Sequence, residues 1–236
     1  MDLLQKNKKI LVVVAHPDDE LLGLGASMHK LIKEYQIQTR VIILGEGITS
    51  RSDQRDVVKW EKELEIHRSN INKAKDAIGY HSVGIYDFPD NRFDSVALLD
   101  IIKIIEKEKA EFKPDIIFTH HGGDVNVDHQ KTFEAVITAC RPMAHENVKT
   151  IITFETPSGT EWRSPSDPRY FLPNYFIRVS EEDLYAKING MEAYEFERRA
   201  YPHPRSPEAL EIRAKMWGVS IGAEYAEAFQ VIRHIL

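Results

Sequence analysis

The sequence predicts an α/β, Rossmann-like fold: a mostly parallel sheet with helices on both faces, in a single domain. Three observations predict it. Short apolar runs alternate with longer helical patterns along the first two thirds of the chain. The runs give way to polar clusters at their C-terminal ends, where ligands gather in open α/β sheets. The 236 residues suffice for one well-buried domain, and no linker divides them.

Residues 9–15 predict a strand, 23–35 a helix and 39–44 a second strand. Val57, Leu64, Ile71 and Ile78 recur every seven residues with Trp60 and Ala74 beside them, so 54–78 predicts one long helix with a single core-facing side. A strand over 83–88 follows, and Leu98, Ile101, Ile102 and Ile105 mark the next helix. Pro114 opens a strand over 115–119, residues 129–140 read as helical, and 148–155 form the fifth strand. Right-handed crossovers join strands in this order.

Beyond Glu155 the regularity weakens. Residues 158–173, rich in Pro, Ser, Gly and charge around Trp162, predict a long surface loop in the position of a lid. A strand over 175–179, a helix over 181–194 and another over 207–218, after the turn YPHPRSP, complete the chain. One domain over 1–236 results, with its core at about 9–155, the loop at 158–173 and an extension at 174–236.

Composition excludes several classes. A net charge of −6, from 31 basic and 37 acidic residues without a long basic run, argues against a nucleic-acid or anionic-membrane partner. Cys140 is the one cysteine, which excludes an intramolecular disulfide and a cysteine-rich zinc site and suits a small core residue on a helix. The polar start MDLLQKNKK lacks a signal-peptide core, and no run approaches membrane-spanning length. A cytoplasmic protein is expected.

The first strand runs straight into HPDDE, His16 to Glu20. Adjacent carboxylates at the mouth of a core strand are costly to desolvate and call for a cation, a helix N-terminus or open water. One histidine and two or three acids suit a divalent metal. The simpler alternative is that Asp18 or Asp19 caps the following helix. Two further clusters fall on the same sheet edge: FPDNRFD after strand three and THHGGDVNVDH after strand four, where Gly122 and Gly123 permit backbone turns that side chains resist. With His129 opening the next helix opposite His16 and Asp19, the three clusters predict one site.

The AHPDDE box, the aspartate–histidine pair Asp128–His129 after the strand PDIIF and the alternating α/β order resemble the LmbE/PIG-L family of metal-dependent de-N-acetylases. The resemblance covers roughly residues 9–155. It implies that His16, Asp19 and His129 hold zinc, that Asp18 is the general base, and that the substrate is a small N-acetylated amino sugar or its conjugate. Two imidazoles and one carboxylate leave open positions on a metal, and the same set also fits an iron(II) facial triad. A sugar-binding protein without turnover is a further alternative, and a homo-oligomer is left open.

Many relatives carry His-Pro-Asp-His where this chain has Asn126, Val127, Asp128 and His129. The first histidine, which helps stabilise the transition state in those relatives, is absent. Asn126 is expected to replace it as a donor, with His120, His121 and His203 as alternatives. Asp128 either orients an imidazole or caps the next helix. The resemblance places Asp90 on a sugar hydroxyl, with Arg92 beside it in the same turn. Trp162 and Arg163 suit a sugar ring or a phosphate, and Arg205, held between prolines in a turn, suits an anion.

Overall fold

The computed structural model describes Leu4 and residues 6–236; part of the polar N-terminal stretch therefore lies outside the described residues. Its first half alternates as β1 (Lys9–Val14), α1 (Asp19–Tyr35), β2 (Gln38–Gly45), α2 (Glu61–Ile78), β3 (Ser82–Phe88), α3 (Leu98–Phe112) and β4 (Ile116–His120). Then come α4 (Val127–Ala139), β5 (Thr150–Phe154), β6 (Tyr175–Val179), α5 (Glu181–Ala193), α6 (Pro207–Ser220) and β7 (Tyr225–His234). The strands form one sheet in the order β3-β2-β1-β4-β5-β7-β6.

β1 shows why the sheet is buried on both faces. Successive strand side chains point to opposite sides. Ile10, Val12 and Val14 enter one apolar cluster with Leu21, Leu22 and Met28 of α1. Leu11, Val13 and Ala15 enter the other, with Ile101 and Ile105 of α3 and Val136 of α4. Each such aliphatic side chain contributes about 1.5–3 kcal/mol by leaving water. Cys140, just past the end of α4, is buried in the second cluster.

β1 pairs in parallel with β2 on one side and β4 on the other. The chain winds outward from β1 through β2 to β3, then returns to build β4 and β5 on the opposite side. The loops after β1 and β4 therefore diverge and leave a crevice at the C-terminal strand ends.

Three expectations need correction. The long helix begins at Glu61, not near residue 54. Upstream, Asp56 and Ser52 tie the chain into turns by accepting from Lys59 N and from Trp60 Nε1, and Val57 and Val58 stand exposed. The buried face of α2 is His67, Asn70, Ile71, Ala74 and Ile78, so the seven-residue stripe describes only its C-terminal half. A strand, β7, occupies residues that gave no strand signal; it pairs antiparallel with both β5 and β6 and inserts between them. Finally, Gly122 and Gly123 serve space and not dihedral freedom. A Cβ on Gly123 would lie 1.8 Å from the Arg169 carbonyl oxygen, and one on Gly122 would lie 2.4 Å from the Phe133 ring.

Candidate active site

The backbone turns sharply where β1 gives way to α1. Asp18 has φ 101° and ψ −27°, a left-handed conformation that costs a non-glycine residue on the order of 1–3 kcal/mol. Its carbonyl oxygen accepts from Leu21 N and Leu22 N and so opens α1, while its side chain caps nothing. Asp19 turns back to accept the His16 N–H at 2.8 Å. The capping alternative is thereby removed for Asp18, which lines the crevice.

Two compact groups of metal-ligand type result, His16–Asp19–His129 and His16–Asp90–Asp128, each with its candidate atoms within 4.8 Å of one another. Hydrogen bonding separates them. Asp128 accepts Asn91 N at 2.6 Å and Phe93 N at 2.8 Å as well as His16 Nε2 at 2.8 Å, so its lone pairs are largely spent. Asp90 is likewise engaged, with Ser50 N at 3.1 Å and Asn91 Nδ2 at 3.0 Å. The first group keeps its acceptors turned inward: His16 Nδ1 and His129 Nε2 each lie 3.4 Å from Asp19 Oδ2.

A carboxylate stands behind each of these imidazoles. Asp128 Oδ2 holds His16 Nε2, and Asp124 Oδ2 lies 3.2 Å from His129 Nδ1. Such partners fix ring orientation and raise basicity in metal sites. Asp124 is itself held by Asn126 N at 2.8 Å and Thr160 Oγ1 at 2.6 Å. Sequence reasoning missed it, although it lies in the same polar run as His129.

Burial would lower the pKa of both imidazoles, but the carboxylates prevail. His16 is raised well above its ordinary value by Asp128 and Asp19. His129 is raised to about 9 by Asp19 and Asp124. Burial alone would push Asp19 up, yet the His129 imidazole holds it well below the usual carboxylate range. Burial pushes Asp18 well up, with the Arg205 guanidinium opposing. Glu20, buried beneath and accepting from Tyr194 Oη at 2.5 Å, is raised to about 7 by burial. A divalent cation fits this concentration of buried acids and imidazoles, since it would offset their mutual desolvation.

His120 lies under the group and stacks on His129 with ring centroids 3.9 Å apart. Its Nε2 accepts the Ala15 N–H at 2.9 Å, so the ring proton is on Nδ1, facing Thr156 Oγ1 at 3.0 Å. Burial lowers its pKa to about 4. His121 turns away to donate from Nε2 to the Arg169 carbonyl at 2.8 Å.

A cleft of about 290 Å³ opens above His16 and Asp18. Asp90, Asn126, Trp162 and Arg205 line it, together with Ser50, Arg51, Ser158, Glu197, Arg199 and His203. Arg51, Glu197 and Arg199 gave no signal because they become neighbours only through tertiary folding. Arg92 is not brought into the cleft: its Nη2 donates to the Asp53 carbonyl, and it borders an adjoining open hollow with Asp90 and Asn91. Arg163 is also spent, on the carbonyl oxygens of Gly123 and Asp124.

Asn126 is engaged at both ends of its amide. Its Oδ1 caps α4 by accepting Asp128 N at 2.8 Å, and its Nδ2 donates to Asn91 Oδ1 at 2.9 Å. The capping role weighed for Asp128 therefore belongs to Asn126, and Asp128 orients His16.

The sequence matches the family model PIG-L, GlcNAc-PI de-N-acetylase, over residues 11–140. A deacetylase of Escherichia coli (strain K12), YaiS, whose own role is uncharacterised, is 29% identical over 194 residues, covering 80% of this chain and 91% of that protein. N,N'-diacetylchitobiose deacetylase from Pyrococcus horikoshii superposes with a TM-score of 0.74 at 16% identity, covering 96% of this chain and 84% of that one. The 4-carboxy-2-hydroxymuconate hydratase GalB from Pseudomonas putida KT2440 gives 0.75 at 18% identity, covering 97% and 98%. The structural likenesses show a shared fold that hosts more than one chemistry. The family match spans the three clusters that build the cleft, and by it the chain belongs to the PIG-L (LmbE-like) family of de-N-acetylases.

Proposed function

We propose that this protein is a metal-dependent hydrolase that removes the acetyl group from an N-acetylamino sugar, or a conjugate of one, to give acetate and a free amine. The observation that carries this reading is the inward-facing set His16, Asp19 and His129, with Asp128 and Asp124 bracing the two imidazoles. Its two nitrogens and one oxygen suit zinc, with iron(II) as the other candidate. A bound ion would supply an acidified water and polarise the acetyl carbonyl.

The chain's residues do the rest. Asp18, at the cleft floor beside Asp19, takes the proton of the attacking water and returns it to the departing nitrogen, so that one carboxylate serves both half-reactions. Its carboxylate is not among the atoms of the ligand set, and its Oδ2 accepts from Arg205 Nη1 at 2.7 Å. Asp90 and Trp162 line the cleft, one offering acceptors for sugar hydroxyls and the other a stacking face. Among the described residues no helix is long and apolar enough to cross a membrane.

The test combines metal analysis of the purified protein with acetate release from N-acetylglucosamine and its simple glycosides. Wild-type protein is expected to bind about one equivalent of metal and release acetate. His16→Ala and His129→Ala are each expected to lose tight metal binding, since a three-ligand site with one ligand removed leaves the ion mostly hydrated. Full occupancy in either variant excludes that residue as a ligand. Bound iron without acetate release favours oxygen chemistry.

A further inference from the structure

The side chains considered for the absent histidine each have other partners or lie apart from the cleft. Asn126 caps α4 and donates to Asn91. His120 is sealed beneath Asp19, and His121 faces Arg169. His203 lines the cleft, but its Nδ1 accepts from Arg205 N at 3.2 Å, and burial with the neighbouring guanidinium keeps its pKa low. What stands over the candidate base is Arg205.

Arg205 reaches the site from the turn before α6, far from the metal-ligand motifs in sequence. Its Nε donates to Ser158 Oγ at 2.7 Å, and its Nη1 to Asp18 Oδ2 at 2.7 Å and Glu197 Oε2 at 3.0 Å. Three acceptors thus hold the planar fork in one orientation. Nη2 has no hydrogen-bond partner among the described residues, and 22% of the side chain remains open to the cleft. A rigid, mostly buried cation with one unused N–H pair beside the base is the arrangement that oxyanion stabilisation requires.

We propose that Arg205 is a catalytic residue, donating from Nη2 to the acetyl carbonyl oxygen and stabilising the negative charge that forms there. The proposal rests on the deacetylase reading. In the addition step the water oxygen bonds to the carbonyl carbon, its proton passes to Asp18, and the C=O π pair moves onto the carbonyl oxygen. As Asp18 becomes neutral its hold on the guanidinium weakens while the oxyanion's demand grows. The contact is therefore stronger in the transition state than in the ground state. In the second step the oxyanion pair re-forms the C=O bond as the C–N bond breaks, the C–N pair leaves with the nitrogen, which takes the Asp18 proton, and the acetic acid released ionises to acetate.

The experiment measures kcat and KM separately for Arg205→Gln and Asn126→Ser, the serine keeping an acceptor for the helix cap. Calorimetry adds the affinity for a phosphonate analogue of the tetrahedral intermediate, in which no proton is transferred. Arg205→Gln is expected to lower kcat by about 10²–10³-fold with KM little changed, and to weaken the analogue far more than the substrate. Asn126→Ser is expected to cost less than tenfold. Should the glutamine variant fail to fold, Arg205→Lys preserves the buried charge and is expected to show the same division between kcat and KM at smaller size. A loss confined to KM, or undiminished binding of the analogue, overturns the assignment. Loss in Asn126→Ser equal to that in Arg205→Gln returns the role to Asn126. Absence of acetate release by the wild-type protein overturns the deacetylase reading together with this one.

Discussion

Asp18 and Asp19 are neighbours in sequence with opposite electrostatic surroundings. Asp19 sits between two imidazoles and is held ionised, as the proposed ligand role requires, whereas Asp18 faces one guanidinium from a buried pocket. Asp18→Asn preserves shape but cannot accept the water's proton, so it is expected to keep its metal and lose on the order of 10²–10⁴-fold in turnover. Loss of metal in that variant would make Asp18 a ligand instead. Asp124 touches no candidate substrate position, yet it faces the outer nitrogen of His129. Asp124→Ala is expected to weaken metal affinity about 10–100-fold, measured by competition with a chromophoric chelator. An unchanged affinity would show that His129 is oriented by its stack on His120 alone.

At the scale of elements, the segment between β5 and β6 is fastened to the loop after β4. Thr160 donates to Asp124, Arg163 to the carbonyls of Gly123 and Asp124, and His121 to the carbonyl of Arg169. Its short 3₁₀ turn, Thr160–Trp162, presents Trp162 at the cleft, 58% exposed. An exposed indole over a polar cleft suits a ring that arrives with the substrate. Trp162→Ala is therefore expected to raise KM about three- to tenfold for a disaccharide substrate while scarcely changing hydrolysis of N-acetylglucosamine itself. Equal impairment on both would mean that the segment shapes the metal group through Thr160 and Asp124.

For the whole molecule, the packing of α2 against the C-terminal segment links stability to pH. His67 is buried, stacks on Phe196 with centroids 5.3 Å apart, and has no hydrogen-bond partner on either ring nitrogen. Burial lowers its pKa from 6.5 to about 4. Because the unfolded chain takes up this proton near 6.5 and the folded one only near 4, the contribution is full above 6.5 and is lost as pH falls through this window. Between pH 7 and 5 the cost is about 2 kcal/mol. Urea unfolding of wild type and His67→Phe at both pH values checks this, and equal losses in the two would place the dependence on carboxylates.

The sequence by itself determined the alternating half of the fold and the gathering of its polar clusters at one sheet edge, because both are local signals. Runs such as KILVVV can satisfy their side chains only inside a two-sided sheet, and HPDDE and VDH are polar clusters that a parallel sheet necessarily brings to one edge. Tertiary structure decided the rest. β7 is a strand because the edge of β5 needs a partner, although YAEAFQVIRH carries alanines and charges that favour strands weakly. The start of α2, the placement of Arg92 outside the cleft and the closing of Arg205 over Asp18 likewise depend on partners far along the chain. A guanidinium finds its carboxylate by distance in space, and no spacing in the sequence records that distance.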